Sequence, residues 1–129
     1  MFKEATLILA AISAPAPVSP ELTVADGWLS LLDANSWSAS WNDTGKLFRS
    51  QLTQEQWVKT VQSVREPLGT VVSRVVNGSS KSKSLPGAPD GEYEILQYRT
   101  VFSKKADTIE TVILAREDDK WKIVGYFIR

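Results

Sequence analysis

Cysteine and histidine are both absent from the 129 residues. Without cysteine there is no disulfide, no thiolate nucleophile, no thiolate metal site and no lipid attachment through sulfur. The compartment stays open, because a cysteine-free chain survives in either redox environment. Without histidine there is no histidine-dependent triad, no imidazole metal ligand and no histidine pH switch. A metal would have to be held by carboxylates and carbonyls, and no spacing of a dedicated calcium or magnesium loop occurs. No cofactor is expected. Net charge is missing too, with fifteen basic residues against fifteen acidic ones. Such a chain has no overall pull toward nucleic acid or an anionic membrane. Locally, Lys59, Arg65, Arg74, Lys81 and Lys83 face only Glu66 between Trp57 and Leu85. That run reads as a solvated face followed by a basic loop.

Long hydrophobic runs are also lacking. Leu7 to Ile12 is apolar but too short to span a bilayer, and no later segment is long enough. The run precedes small residues and Ala14-Pro15-Ala16, the pattern of a secretory signal peptide. Against that pattern, Lys3 is offset by Glu4, and Pro17 would follow the cut. Residues 1–20 therefore read as a signal peptide or disordered leader, and 21–129 as a single domain. The expected location is periplasmic or secreted, or cytoplasmic if the leader is not a signal.

What is present is an ordinary globular composition, 43% hydrophobic and 23% charged. Val24, Trp28, Leu31 and Leu32 recur at helical spacing and predict a helix from about Leu22 to Asp33. A short second helix is expected over Asn35–Trp41, then a turn at Asn42–Gly45. Thr53 and Gln56 form a capping-box pair that opens a third helix. Trp57, Val61, Val64 and Leu68 make its apolar stripe. Pro67 disfavours a helical Glu66, and Gly69 can take positive φ to turn the chain.

Beyond Gly69 the period changes. Thr70–Val76 reads as a strand and the Ser/Lys/Pro/Gly-rich stretch 77–91 as a loop or a long hairpin connection, with Ser79–Ser84 as a mobile solvated tip. Glu92–Phe102, Thr108–Arg116 and Trp121–Ile128 read as three more strands, with Glu117–Lys120 as a turn. In the last strand Trp121, Ile123, Gly125 and Phe127 share one face by alternation, and Gly125 marks a bend or bulge. The class is α+β: N-terminal helices packed on a strongly bent four-stranded antiparallel sheet, forming a cone with a mouth. The five tryptophans are expected mostly in the core, with Trp41 as the exception.

Two arginines stand on either side of the helix-to-strand junction. Arg65 and Arg74 can clamp a carboxylate or phosphate of a ligand, or pair with a carboxylate of this chain, Glu110 first. Glu110 lies in an otherwise apolar strand. It is either a buried base with a tyrosine (Tyr93, Tyr98 or Tyr126) as acid, or a residue that points to water. Arg65, Arg74, Tyr98 and Glu110 are the expected polar residues of the mouth, as ligand-binding rather than catalytic groups.

Trp28-Leu29-Ser30-Leu31-Leu32-Asp33, the Arg65–Arg74 stretch, Leu85–Tyr93, Glu110-Thr111-Val112 and Trp121–Arg129 occur in this order. Together they resemble a bacterial family catalogued as domain of unknown function 4019, over about Asp26 to Arg129. The resemblance implies an exported protein with a cystatin-like or nuclear-transport-factor-2-like cone and no established activity. The leading expectation is a non-catalytic module that binds a small molecule or an envelope protein. The alternatives are a small proton-transfer or hydrolytic enzyme in the same cavity, and a structural subunit that homodimerises through the outer sheet face.

Overall fold

The computed structural model describes residues 19–129; residues 1–18 of the expected leader lie outside them, and its last two, Ser19 and Pro20, cap and open the first helix. Helix α1 spans Pro20–Asp33. It begins two residues earlier than the apolar spacing predicts, because the Ser19 hydroxyl accepts from the Leu22 N–H (3.1 Å) and Pro20 occupies the first turn. Ala25, Trp28, Leu29 and Leu32 form its buried stripe. Helix α2 covers Trp37–Asn42. Helix α3, Lys46–Gln51, is not expected from the sequence. Its six residues are too few to show a period. Its N-terminal N–H groups are capped from far away: Lys46 and Leu47 donate to the Glu117 carboxylate at 2.8 and 3.2 Å. Helix α4, Gln54–Arg65, carries the expected capping box on both sides.

The inward stripe of α4 departs from expectation. Trp57 and Val61 are buried, but Val64 is 42% exposed and Arg65 only 4%. Arg65 takes the inward place because a carboxylate and an aromatic ring await it there. A 3-10 turn over Glu66–Leu68 holds Pro67, and Gly69 follows with φ 80°. A Cβ at Gly69 would run into Ser103 Oγ, so both conformation and space require glycine.

Strands β1 (Val71–Ser82), β2 (Tyr93–Phe102), β3 (Lys105–Glu117) and β4 (Lys120–Ile128) form an open antiparallel meander in that order. The helices cover one face. Leu96, Tyr98, Thr100 and Phe102 of β2 lie buried beneath them, joined by Thr108, Glu110, Val112 and Leu114 of β3. β1 runs six residues past its expected end, so residues 77–82 of the stretch expected as a loop or long hairpin connection are strand. The register of β4 shifts opposite Ile113 and Leu114. That bulge breaks the predicted alternation. Ile123 and Tyr126 both turn inward, and Phe127 stands 60% exposed on the other face.

Trp28, Trp57, Phe48 and Tyr126 make an aromatic centre, with ring centroids 5.0–6.3 Å apart. Ser40 satisfies both buried indoles: its carbonyl accepts from Trp28 and its hydroxyl from Trp57, each at 2.9 Å. Trp37, Trp41 and Trp121 pack on the rim of this core. Trp41 is thus not the single exception: like Trp37 and Trp121 it is half-buried, and its indole donates to the Leu52 carbonyl at 3.1 Å.

Candidate functional site

The helix-to-strand junction delivers its two arginines to one place. Arg65 closes α4, Asp33 closes α1, Arg74 sits in β1 opposite Thr100, and Glu110 sits in β3 opposite Tyr98. Arg74 grips Asp33 in a bidentate fork, Nη1 to Oδ2 at 2.8 Å and Nη2 to Oδ1 at 2.9 Å. Its Nε donates to Glu110 Oε1 at 2.8 Å. Arg65 Nη2 donates to Asp33 Oδ1 at 2.8 Å, and its guanidinium lies 5.0 Å over the Phe102 ring. Two cations meet two anions, so the network is neutral.

Glu110 is 0% exposed and engaged at both oxygens. Oε1 also accepts from the Thr100 hydroxyl at 2.5 Å, and Oε2 accepts from the Tyr126 hydroxyl. The expectation that Glu110 points to water is corrected: the pleat of β3 turns it under the helices, where an unpaired carboxylate would be very costly. The charges perturb their neighbours in consistent directions. Burial pushes the Asp33 carboxyl up, but the hydrogen bonds and charges of Arg74 and Arg65 outweigh it and hold Asp33 below the usual range. Burial works against the Arg74 cation, yet Asp33 and Glu110 together raise its pKa. Burial and the Glu110 charge push the Tyr126 phenol well up, so it stays a donor.

Of the four residues expected at the mouth, Arg65, Arg74 and Glu110 share this network. Tyr98 does not join it: its hydroxyl donates to Asp26 Oδ1 at 2.9 Å, and burial with that bond raises its pKa. Tyr126, one of the three tyrosines offered as a partner for Glu110, joins the network, and Asp33 and Thr100 complete it without having been singled out. Thr100 carried a faint signal, since alternation puts it on the Tyr98 face of β2. Asp33 carried none beyond ending a helix.

Two N–H groups of Arg65, Nε and Nη1, are buried and have no partner among the described residues. Beside this side chain lies a hollow of about 180 Å3 walled by Asp33, Asn35, Glu66, Gly69 and Thr70. No group of three or more aspartates, glutamates, histidines or cysteines that could hold a metal occurs among the described residues, and none of their helices is long and apolar enough to cross a membrane.

A second ionic cluster sits at the other end of α1. Lys81 Nζ donates to Glu21 at 3.0 Å and to Glu94 at 2.9 Å, and Ser79 donates to Glu94 at 2.6 Å. Lys81 was expected in a solvated loop tip. The extended β1 instead places it opposite Glu94, under the first turn of α1. Burial would raise the Glu21 carboxyl, but the Lys81 hydrogen bond, a backbone hydrogen bond and the Lys81 charge together outweigh it and leave the pKa lowered.

Helices followed by a one-sided meander, braced by an internal arginine–carboxylate network, define an α+β domain. The family model described as Protein of unknown function (DUF4019) matches residues 24–126, and the chain belongs to that family. Comparison with curated proteins finds no match.

Proposed function

We propose that this chain is an exported, non-catalytic binding module, periplasmic or secreted, with a cone of the cystatin-like or nuclear-transport-factor-2-like type. The observation that carries the binding reading is the spare donor capacity of Arg65. Every oxygen of Glu110 and Asp33 in the network is already engaged, while Arg65 Nε and Nη1 are not. A ligand offering a carbonyl or carboxylate oxygen beside the Arg65 hollow would complete that guanidinium. In this reading Arg74, Glu110 and Tyr98 hold the frame around the mouth, and Arg65 makes the contact.

Acid–base catalysis keeps one supporting observation, the Tyr126 hydroxyl on Glu110. Against it, Arg74 and Thr100 hold the other oxygen, so both oxygens of Glu110 are already committed within the chain. Dimerisation is supported by the exposed Val75 and Phe127 on the sheet face away from the helices.

Native mass spectrometry of the protein purified from the envelope of its host tests these readings together. A retained small-molecule mass that is lost in Arg65→Lys and Arg65→Gln supports the binding module. Bare subunit masses, with no thermal shift from a panel of carboxylates, defeat it. A dimer mass favours the structural subunit, and recovery from the cytoplasm with residues 1–20 intact defeats export.

A further inference from the structure

A second hollow lies away from the arginine network. It is a groove of about 490 Å3 between one face of α1 and the β3–β4 hairpin. That volume suits a small-molecule site, which typically holds about 300–1,000 Å3.

Each wall of the groove breaks a local rule. Gly27 sits exposed in the middle of α1, where glycine is less stable than alanine. Space does not require it: a Cβ there meets no heavy atom of the described residues within 4 Å. Any side chain at Gly27 would stand in the groove. On the opposite wall, Asp118 and Asp119 both take left-handed backbone, φ 50° and 64°. Asparagine–glycine or aspartate–glycine suits such a two-residue turn better. Asp119 keeps a carboxylate on the groove instead. Local choices that work against stability gather where a function needs them.

The lining defines the occupant. Trp121, half-buried, offers an indole surface. Asp43 and Asp119 supply acceptors, and Lys120 and Lys122 supply donors. Two carboxylates and two ammonium groups balance, so an anion or a cation would meet a like charge on the rim. A neutral ring with a C–H face and hydroxyls around its edge satisfies all of these groups. The apolar face lies on tryptophan, and the hydroxyls donate to aspartate and accept from lysine. We propose that this groove binds a neutral sugar ring, either free or at the end of a polysaccharide. The site is independent of the Arg65 hollow and stands whether or not Arg65 holds a ligand.

The test is NMR titration of the full chain with maltose, cellobiose and N,N′-diacetylchitobiose, alongside co-sedimentation with insoluble amylose, cellulose and chitin. Shifts at Gly27, Asp119 and the Trp121 indole are expected with at least one disaccharide for the free-sugar form, or sedimentation with one polymer for the chain-end form. Gly27→Leu fills the groove from an exposed position and is expected to weaken that binding by about tenfold or more. Its thermal midpoint should not fall, which separates lost binding from lost folding. Gly27→Ala, smaller still, should give an intermediate loss. The proposal is overturned if no neutral sugar shifts these residues and none of the polymers sediments the protein. It is equally overturned if Gly27→Leu binds as well as the parent, or if an anionic sugar or a peptide takes the groove in preference.

Discussion

The two ends of helix α1 are both tied to the sheet by charge, yet they do so differently. At the C-terminal end Asp33 enters a neutral network with Arg65, Arg74 and Glu110, in which Arg74 is only 13% exposed. At the N-terminal end one lysine, its side chain 73% exposed, serves two carboxylates, Glu21 and Glu94. The first end is sealed by planar guanidiniums whose forks match carboxylates in fixed geometry. The second is bridged by a hydrated ammonium and opens beside the groove at Gly27. Burial sets what each ion pair is worth. A sealed pair is destabilising to break because it strands a charge; at the second end Glu21 and Glu94 are only 10% and 4% exposed, and water can replace the lysine alone.

The largest effect should come from breaking the sealed end. Arg74→Met leaves Glu110 buried without its cation and should destabilise the protein by about 3–5 kcal/mol in urea unfolding. The double change Arg74→Met with Glu110→Leu should recover most of that loss, because no charge is then stranded. A small effect of Arg74→Met alone would erase the distinction between the ends. Next, Tyr126→Phe removes a donor from a fully buried carboxylate and should lower stability by about 1–3 kcal/mol. Tyr98→Phe should lower it less, by about 0.5–1.5 kcal/mol, since Asp26 is exposed and water can replace the phenol. At the open end the sign reverses: Gly27→Ala should stabilise by about 0.5–1 kcal/mol in the same assay.

Acid sharpens the contrast further. The folded Asp33 pKa lies below its unfolded value, so its contribution is complete above that unfolded value, about 3.9. It is lost as pH falls through the lower folded value. The stability gap between the parent and Asp33→Asn should therefore be constant near neutrality and shrink below about pH 4. Lys81→Met strands Glu21 and Glu94, whose side chains are only 10% and 4% exposed, and should lower the unfolding midpoint, by less than Arg74→Met because water can occupy the exposed place of the ammonium. An equal shift would show that exposure does not decide the matter.

Much of the fold was legible because it is written in local patterns. The α+β order, the capping box at Thr53, the turn at Gly69 and three of the four strands follow from periodicity and from residues with special backbone needs. The misses share a cause. Helix α3 depends on a carboxylate from the β3–β4 hairpin, the inward turn of Arg65 on Asp33 and Phe102, and the continuation of β1 on pairing with β2. The bulge in β4 exchanged Gly125 for Tyr126 on the inner face, and with it the tyrosine that meets Glu110. None of these partners is near in sequence.

The arginines at the helix-to-strand junction show the same division. Their presence, Glu110 in an apolar strand, and the proline and glycine that separate helix from strand are properties of the chain alone. So is the absence of any thiol or imidazole chemistry. Only the tertiary structure decided that Asp33 joins them, that Tyr126 rather than Tyr98 reaches Glu110, and that Glu110 is sealed. Periodicity reports which face a residue occupies, but a charged side chain chooses its partner by distance and desolvation, and both are set when separate elements pack.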